Sequence, residues 1–330
     1  MSINISVVIP AYNEEESISE LSSWISRVME KHGFSYEVLF IDDGSTDNTW
    51  KEISKAGQSN PSFKGLRFNR NFGKSAALQT GFRTASGRVV ITMDADLQDS
   101  PDEIPELYKM IKEDGYHLVS GWKQKRKDPL SKTIPSKFFN FVTRKISGLN
   151  LHDFNCGLKA YDQAVIKNIY VYGEMHRYIP LISKWAGFSK ITEKPVAHQE
   201  RKYGKTKFGM SRFVKGFLDL LSITFVGRYR RNPMHFFGTL GILSFLVGVL
   251  FTAKLFWDKI DALFISKIPM KRDITEQPLF YLALVAVVIG VQLFLTGFLA
   301  EMITLQSISK REYLVIDRVG IENTESTVVG

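Results

Sequence analysis

Asp94 and Asp96 stand two residues apart, directly after the apolar, β-branched run Arg88-Val-Val-Ile-Thr-Met93. If that run is a strand, its two-residue period aims both carboxylates to the same side. Two carboxylates held close repel each other unless a cation or a proton lies between them. With Gln98 nearby the donors are all oxygen, which suits Mg2+ or Mn2+ rather than zinc. Such a cation would bridge substrate phosphates and stabilise a diphosphate leaving group as a Lewis acid. A pair of helix-capping aspartates on a loop is the plainer alternative. Two companion clusters also follow apolar runs: Tyr12-Asn13-Glu14 after Ile5–Ile9, and Asp42-Asp43 after Tyr36–Ile41.

The elements that must position these groups alternate. Ile5-Ser-Val-Val-Ile9 reads as a strand. Asn13 with Glu16 has capping-box spacing, and Ile18, Leu21, Ile25 and Val28 then share one helical face until Gly33. Strands are predicted at 36–41, 88–93 and 117–120, with helices near 74–85 and over 101–114. Strands separated by helices imply βαβ units, an α/β class and a mostly parallel sheet. In such sheets ligands bind beyond the carboxyl ends of the strands, where all three clusters fall. No Gly-x-Gly-x-x-Gly follows the first strand and no Walker A sequence occurs, which disfavours a dinucleotide or P-loop site.

Composition adds bounds. The 330 residues are 44% hydrophobic and 23% charged, which excludes a disordered or collagenous chain. The single cysteine, Cys156, excludes an internal disulfide and a multi-cysteine zinc site. The formal net charge of +9 calls for an anionic partner: nucleic acid, anionic lipid or a phosphorylated substrate. Phe236–Ala253 and Pro278–Ala300 are uncharged runs of 18 and 23 residues, long enough as helices to cross a hydrocarbon core of about 30 Å. Phe256, Trp257, Phe280 and Tyr281 flank the connection like an interfacial belt. Met1–Pro10 has neither the basic start nor the apolar length of a signal peptide, so residues 1–235 are expected on the cytoplasmic side. Two spans return the tail to that side. Four of the five residues 123–127 are basic, and Arg201-Lys-Tyr-Gly-Lys-Thr-Lys-Phe208 is a second basic segment. Both suit an anionic head group or a solvated surface. Residues 211–227 read as an interfacial helix.

Val7-Val-Ile-Pro-Ala-Tyr-Asn-Glu-Glu15, Ile41-Asp-Asp-Gly-Ser-Thr-Asp47 and Asp94-Ala-Asp-Leu-Gln-Asp99 resemble, in order and spacing, the inverting glycosyltransferases of family 2. Among these the chain looks most like the polyprenyl-phosphate (dolichol- or undecaprenyl-phosphate) glucosyl- and mannosyltransferases. Arg70-Asn71 with Gly73-Lys74, Asp153-Phe-Asn-Cys-Gly157, His176-Arg-Tyr-Ile-Pro180 and Arg201–Lys205 extend the match, as does the terminal hairpin. The resemblance implies a GT-A domain over 1–205, a loop and juxtamembrane helices over 206–235, a transmembrane hairpin over 236–301 (spans 236–257 and 278–301), and a cytoplasmic tail over 302–330.

It also implies roles. Pro10, Ala11, Tyr12, Glu14, Asp42, Asp43, Lys74 and Asp94 would bind the nucleotide sugar. Asp94, Asp96 and Gln98 would hold Mg2+ or Mn2+. Lys123, Arg126, Lys137 and Arg201 would bind the acceptor phosphate, and Asp153 and Arg201 would be the catalytic pair. The expected reaction is inverting transfer of glucose from UDP-glucose to a polyprenyl phosphate. The expected partners are the nucleotide sugar, the lipid and the membrane, with no nucleic acid. Self-association through the hairpin is left open. The alternatives are a processive polysaccharide synthase, whose Gln-x-x-Arg-Trp motif does not occur here, and a non-catalytic lipid- or nucleic-acid-binding membrane protein. The second would leave the three acidic clusters unexplained.

Overall fold

The computed structural model describes residues 3–124, 140–145, 147–199, 202, 233–267, 272–306 and 315–320. It divides into two units: residues 1–221 with 312–330, and residues 222–311.

The first unit is built on an eight-stranded sheet. In chain order its elements are β1 (Ile5–Ala11), α1 (Ile18–Lys31), β2 (Tyr36–Asp42), α2 (Thr49–Ser59), β3 (Phe63–Phe68), α3 (Lys74–Thr84) and β4 (Val89–Thr92). Then come α4 (Ile104–Lys112), β5 (Leu118–Trp122), β6 (Lys159–Asp162), α5 (Gln163–Asn168), α6 (Ile179–Trp185), β7 (Ile191–Pro195) and, far along the chain, β8 (Val315–Val319). The strand order is β7-β5-β6-β4-β1-β2-β3-β8. β1 pairs in parallel with both β2 and β4, β2 with β3, and β5 with β7, whereas β6 runs antiparallel to β4 and β5. The chain leaves β1 for β2 and β3 on one side, then crosses to β4 on the other. The switch point of the sheet therefore lies between β1 and β4, where an open α/β sheet places its ligand.

Strand alternation divides the core. Ile5, Val7, Ile9, Val38, Phe40 and Ile91 pack against α1 and α4, whereas Val8, Leu39, Ile41 and Val90 pack against α3, α5 and α6. These strands are buried on both faces, and so they read as near-continuous apolar runs. The helix α1 begins at Ile18, after Ser17. The expected Asn13–Glu16 capping box does not form. Asn13 instead adopts a left-handed φ of 56° and accepts the amide N–H of Thr46 at 2.9 Å.

The second unit is a helical hairpin of α7 (Pro233–Ile260) and α8 (Pro278–Gln306). Both helices are long and apolar enough to cross a membrane, and their outward leucines, valines and phenylalanines are exposed rather than buried in a core. The helices pack antiparallel through small residues: a Cβ on Gly241 would lie 2.7 Å from the Gly290 carbonyl, and one on Gly248 would lie 2.8 Å from the Val287 nitrogen. Such glycines let helix backbones approach closely in lipid.

Candidate active site

The carboxyl ends of β1, β2 and β4 and the start of α3 converge. At the end of β1, Pro10 and Ala11 lead into Tyr12, whose side chain is exposed. The following loop is tied to the one after β2: Asn13 N–H donates to Ser45 Oγ at 2.9 Å, and Glu14 N–H to Thr49 Oγ1 at 2.8 Å. Asp42 is fully buried, accepts the Ser45 N–H at 2.9 Å and lies 3.3 Å from Arg67 Nε. Burial raises the pKa of its carboxyl despite these partners. Asp43 accepts the N–H groups of Phe72 (2.7 Å) and Gly73 (2.9 Å), and burial pushes its carboxyl up to about 6. Asp42 and Asp43 thus hold loops in place, and Asp43 fixes the loop from which α3 starts. Gly44 is required here: its φ is +70°, and a Cβ would lie 2.4 Å from the Arg70 carbonyl carbon.

The helix α3 presents Lys74, which forms an ion pair with Asp94. Burial opposes the charge on Asp94, but Lys74, Lys123 and Lys159 outweigh it and hold the carboxyl at about 2. Beyond β4, in a turn, burial alternates: Asp94, Asp96 and Gln98 are half-buried, while Ala95, Leu97 and Asp99 are buried. Leu97 keeps this course through a strained φ of +61°. Asp96 Oδ1 accepts the Gln98 N–H at 3.2 Å. Gly157 closes the other side, its Cα hydrogens against the Asp94 carboxylate.

Lys123 enters a buried ion pair with Asp99 at 2.9 Å, with 13% of its side chain exposed, which raises its pKa. Among the expected acceptor residues it is the one described, and it is directed into the domain. Arg126, Lys137 and Arg201, like the expected interfacial helix over 211–227, lie outside the described residues. Lys202 pairs with Glu20 at 2.8 Å. Asp153 is buried and accepts the Asn155 N–H at 3.0 Å, capping the turn that leads to Gly157. Lys159 received no role from the expected site, and His176 entered it only as part of the resemblance, at a helix start facing the site. Lys159 is buried, donates to the Cys156 carbonyl, and has its pKa lowered by burial. His176, at a 3-10 turn before α6, lines the same small cavity as Lys74, Asp94, Gly157 and Lys159. The motif around His176 marks its position, but its partner Ser75 lies 101 residues earlier in the sequence.

The model of the family described as glycosyl transferase family 2 matches residues 6–170, half of the chain. The chain belongs to this family. This family 2 glycosyltransferase is 38% identical to the dodecaprenyl-phosphate galacturonate synthase of Rhizobium johnstonii, over 92% of its own length and 88% of the relative's. It is 33% identical to the undecaprenyl-phosphate 4-deoxy-4-formamido-L-arabinose transferase of Aeromonas hydrophila, over 91% and 88%. Its fold matches that of glucosyl-3-phosphoglycerate synthase from Mycobacterium tuberculosis, solved with Mn2+ and UDP-glucose, with a TM-score of 0.53 at 20% identity over 67% and 79% of the two chains. The expected GT-A architecture and the metal-dependent inverting enzyme class both hold.

The site suits a divalent metal. A hard cation completed by substrate phosphates needs only one or two protein carboxylates. Asp96, half-buried beside Gln98, carries a carboxylate of the kind such a cation takes, and Asp94, paired with Lys74, lies two residues before it.

Proposed function

We propose that this family 2 glycosyltransferase transfers a single sugar from a UDP-sugar to a polyprenyl phosphate, with inversion, from a catalytic domain on the cytoplasmic face of a membrane. The carrying observation is the conjunction of a cation-and-carboxylate site at the β1/β4 switch point with two span-length apolar helices in the same chain. The two relatives above, named for polyprenyl-phosphate chemistry and aligned over about nine-tenths of the chain, support the acceptor class.

The acceptor phosphate is a monoester with a second pKa near 6, largely dianionic at pH 7 and already nucleophilic. One of its oxygens attacks the anomeric carbon from the face opposite the leaving group. The new C–O bond forms as the bond to the diphosphate breaks, and UDP departs with the electron pair. No proton has to be removed from the nucleophile, so a buried Asp153 that shapes the 153–157 turn suffices as a positioning residue. The chain must bring two anions together and hold them in line. Lys74 on Asp94 and the buried Lys159 supply fixed positive charge at the donor side. Arg126, Lys137 and Arg201 supply it for the acceptor. A metal at Asp96 and Asp94, when bound, contributes charge neutralisation of the departing diphosphate.

The resemblance in sequence implies glucose as the sugar, whereas the two relatives are named for galacturonate and 4-deoxy-4-formamido-L-arabinose. The test therefore offers radiolabelled UDP-glucose, UDP-galacturonate, UDP-4-deoxy-4-formamido-L-arabinose and GDP-mannose with polyprenyl phosphate, in Mg2+, Mn2+ or EDTA. Metal-dependent formation of one polyprenyl-phosphate sugar is expected. Absence of a lipid product from every donor, with the protein folded in detergent, would sink the proposal.

A further inference from the structure

His176 and Ser75 form a contact that the proposed chemistry has not yet used. Ser75 is the second residue of α3, adjacent to Lys74, and is buried. Its Oγ accepts the backbone N–H of His176 at 3.1 Å and lies 3.1 Å from His176 Nδ1. A serine hydroxyl has one proton to give. Here the oxygen already receives an N–H, and Nδ1 is the acceptor in reach of its proton among the described residues. A buried hydroxyl that left its proton unpaired would bear a desolvation cost, so the proton goes to Nδ1. Nδ1 is then the acceptor nitrogen, and the ring hydrogen sits on Nε2, at the opposite edge of the imidazole.

Nε2 has no hydrogen-bond partner among the described residues, and His176 lines the cavity that also contains Lys74, Asp94, Gly157 and Lys159. A substrate oxygen entering this cavity meets lysine ammonium groups and one imidazole N–H. We propose that His176 binds the donor substrate, presenting Nε2–H to an oxygen of the nucleoside-diphosphate sugar, with Ser75 fixing the tautomer. Ser75 is thus a positioning residue, and His176 adds an uncharged donor to a site otherwise served by cations. The inference rests on the nucleotide-sugar reading of the site.

The experiment uses the full chain in detergent micelles, labelled with 15N-histidine. Long-range 1H–15N correlations, assigned by their loss in His176→Ala, should show the Nε2–H pattern in the wild type and a shift toward a mixed pattern in Ser75→Ala. UDP-sugar kinetics should show kcat/KM for the donor falling about 3- to 12-fold in His176→Ala, the loss of one uncharged hydrogen bond, with the acceptor KM unchanged. His176→Gln should recover part of the loss through its amide N–H. An Nδ1–H pattern in the wild type would overturn the assignment. So would unchanged donor kcat/KM in a folded His176→Ala or, should that variant not fold, in both Ser75→Ala and His176→Gln. A wild-type chain that makes no lipid-linked sugar would instead overturn the functional reading; equilibrium dialysis of UDP-sugar against the same variants would then decide the role of His176 separately.

Discussion

A methyl group on Gly157 would collide with Asp94. The added Cβ would lie 2.6 Å from Asp94 Cγ and Oδ2 and 2.8 Å from Oδ1. Ordinary contact between such atoms begins near 3.5 Å, so the carboxylate must retreat by roughly 0.9 Å. The glycine cannot retreat in its place: its carbonyl accepts Thr92 Oγ1 at 2.8 Å, and the next carbonyl, of Leu158, accepts the Gly121 N–H at 2.8 Å. Its φ lies outside the left-handed region, so alanine brings no backbone strain and gains about 0.4–1 kcal/mol from a less flexible unfolded chain. Against that stands the weakened Lys74–Asp94 pair, one-third exposed on each side and contributing no more than about 1 kcal/mol. The two nearly offset, and the melting temperature should move by no more than about 4 °C. Activity should not be spared. A displacement of about 1 Å at a reacting centre costs on the order of 100-fold in rate. Steady-state transfer of labelled sugar by Gly157→Ala, beside a thermal melt of the same preparation, separates the two effects. A folded variant with kcat/KM within threefold of the wild type would refute the claim that Asp94 must stand where Gly157 allows it.

Asp96→Asn should remove a metal donor and lower turnover by about 100-fold or more while the protein stays folded, with Mn2+ binding in the presence of UDP weakened by electron paramagnetic resonance; near-normal turnover would take Asp96 out of the metal site. Lys123→Ala should leave Asp99 buried and uncompensated, destabilising the domain by about 3–5 kcal/mol in denaturant titration; a change only in acceptor KM, at unaltered stability, would restore the lysine to the lipid phosphate. Burial holds Asp43 at about 6, above its ordinary 3.8, so folding favours its protonated form. That contribution is fully present below pH 3.8 and is lost as the pH rises through about 6. Melting temperatures of wild type and Asp43→Asn between pH 4 and 7 should therefore show the variant with a flatter profile over that interval.

Much of the site was legible because its chemistry is local. Asp94, Asp96 and Gln98 alternate with buried neighbours as the spacing suggests, although the strand ends at Thr92 and a turn with Leu97 at a φ of +61°, not a continued strand, carries the pattern. The strands β1, β2 and β4 are buried on both faces and announce themselves as β-branched runs. β3 did not: Phe63-Lys-Gly-Leu-Arg-Phe68 mixes charge and glycine because Lys64 and Arg67 reach the buried Glu37 and Asp42 of β2. The antiparallel β6 is four residues long, too short for periodicity to reveal. Lys123 looked like one cation in a basic loop, and only the fold brings Asp99 beneath it. The doublet Asp42-Asp43 showed two carboxylates but not the engagement of Asp43 with backbone N–H groups 29 and 30 residues away.

The strand β8 carries a consequence for how the molecule is made. It pairs antiparallel with β3 after both hairpin helices have been traversed, with Gly65 opposite Val319. The sheet's last strand is therefore the last to be synthesised, and where both helices cross the membrane, as proposed, it can reach its place only if the chain has crossed an even number of times. A ribosome product that inserts one helix and not the other strands β8 on the far side, and β3 keeps a bare edge of unpaired backbone groups, the kind of edge that recruits other chains. On the proposed topology, completion of the sheet reports on correct insertion: the catalytic unit carries, in its outermost strand, a check on the biogenesis of the helical hairpin.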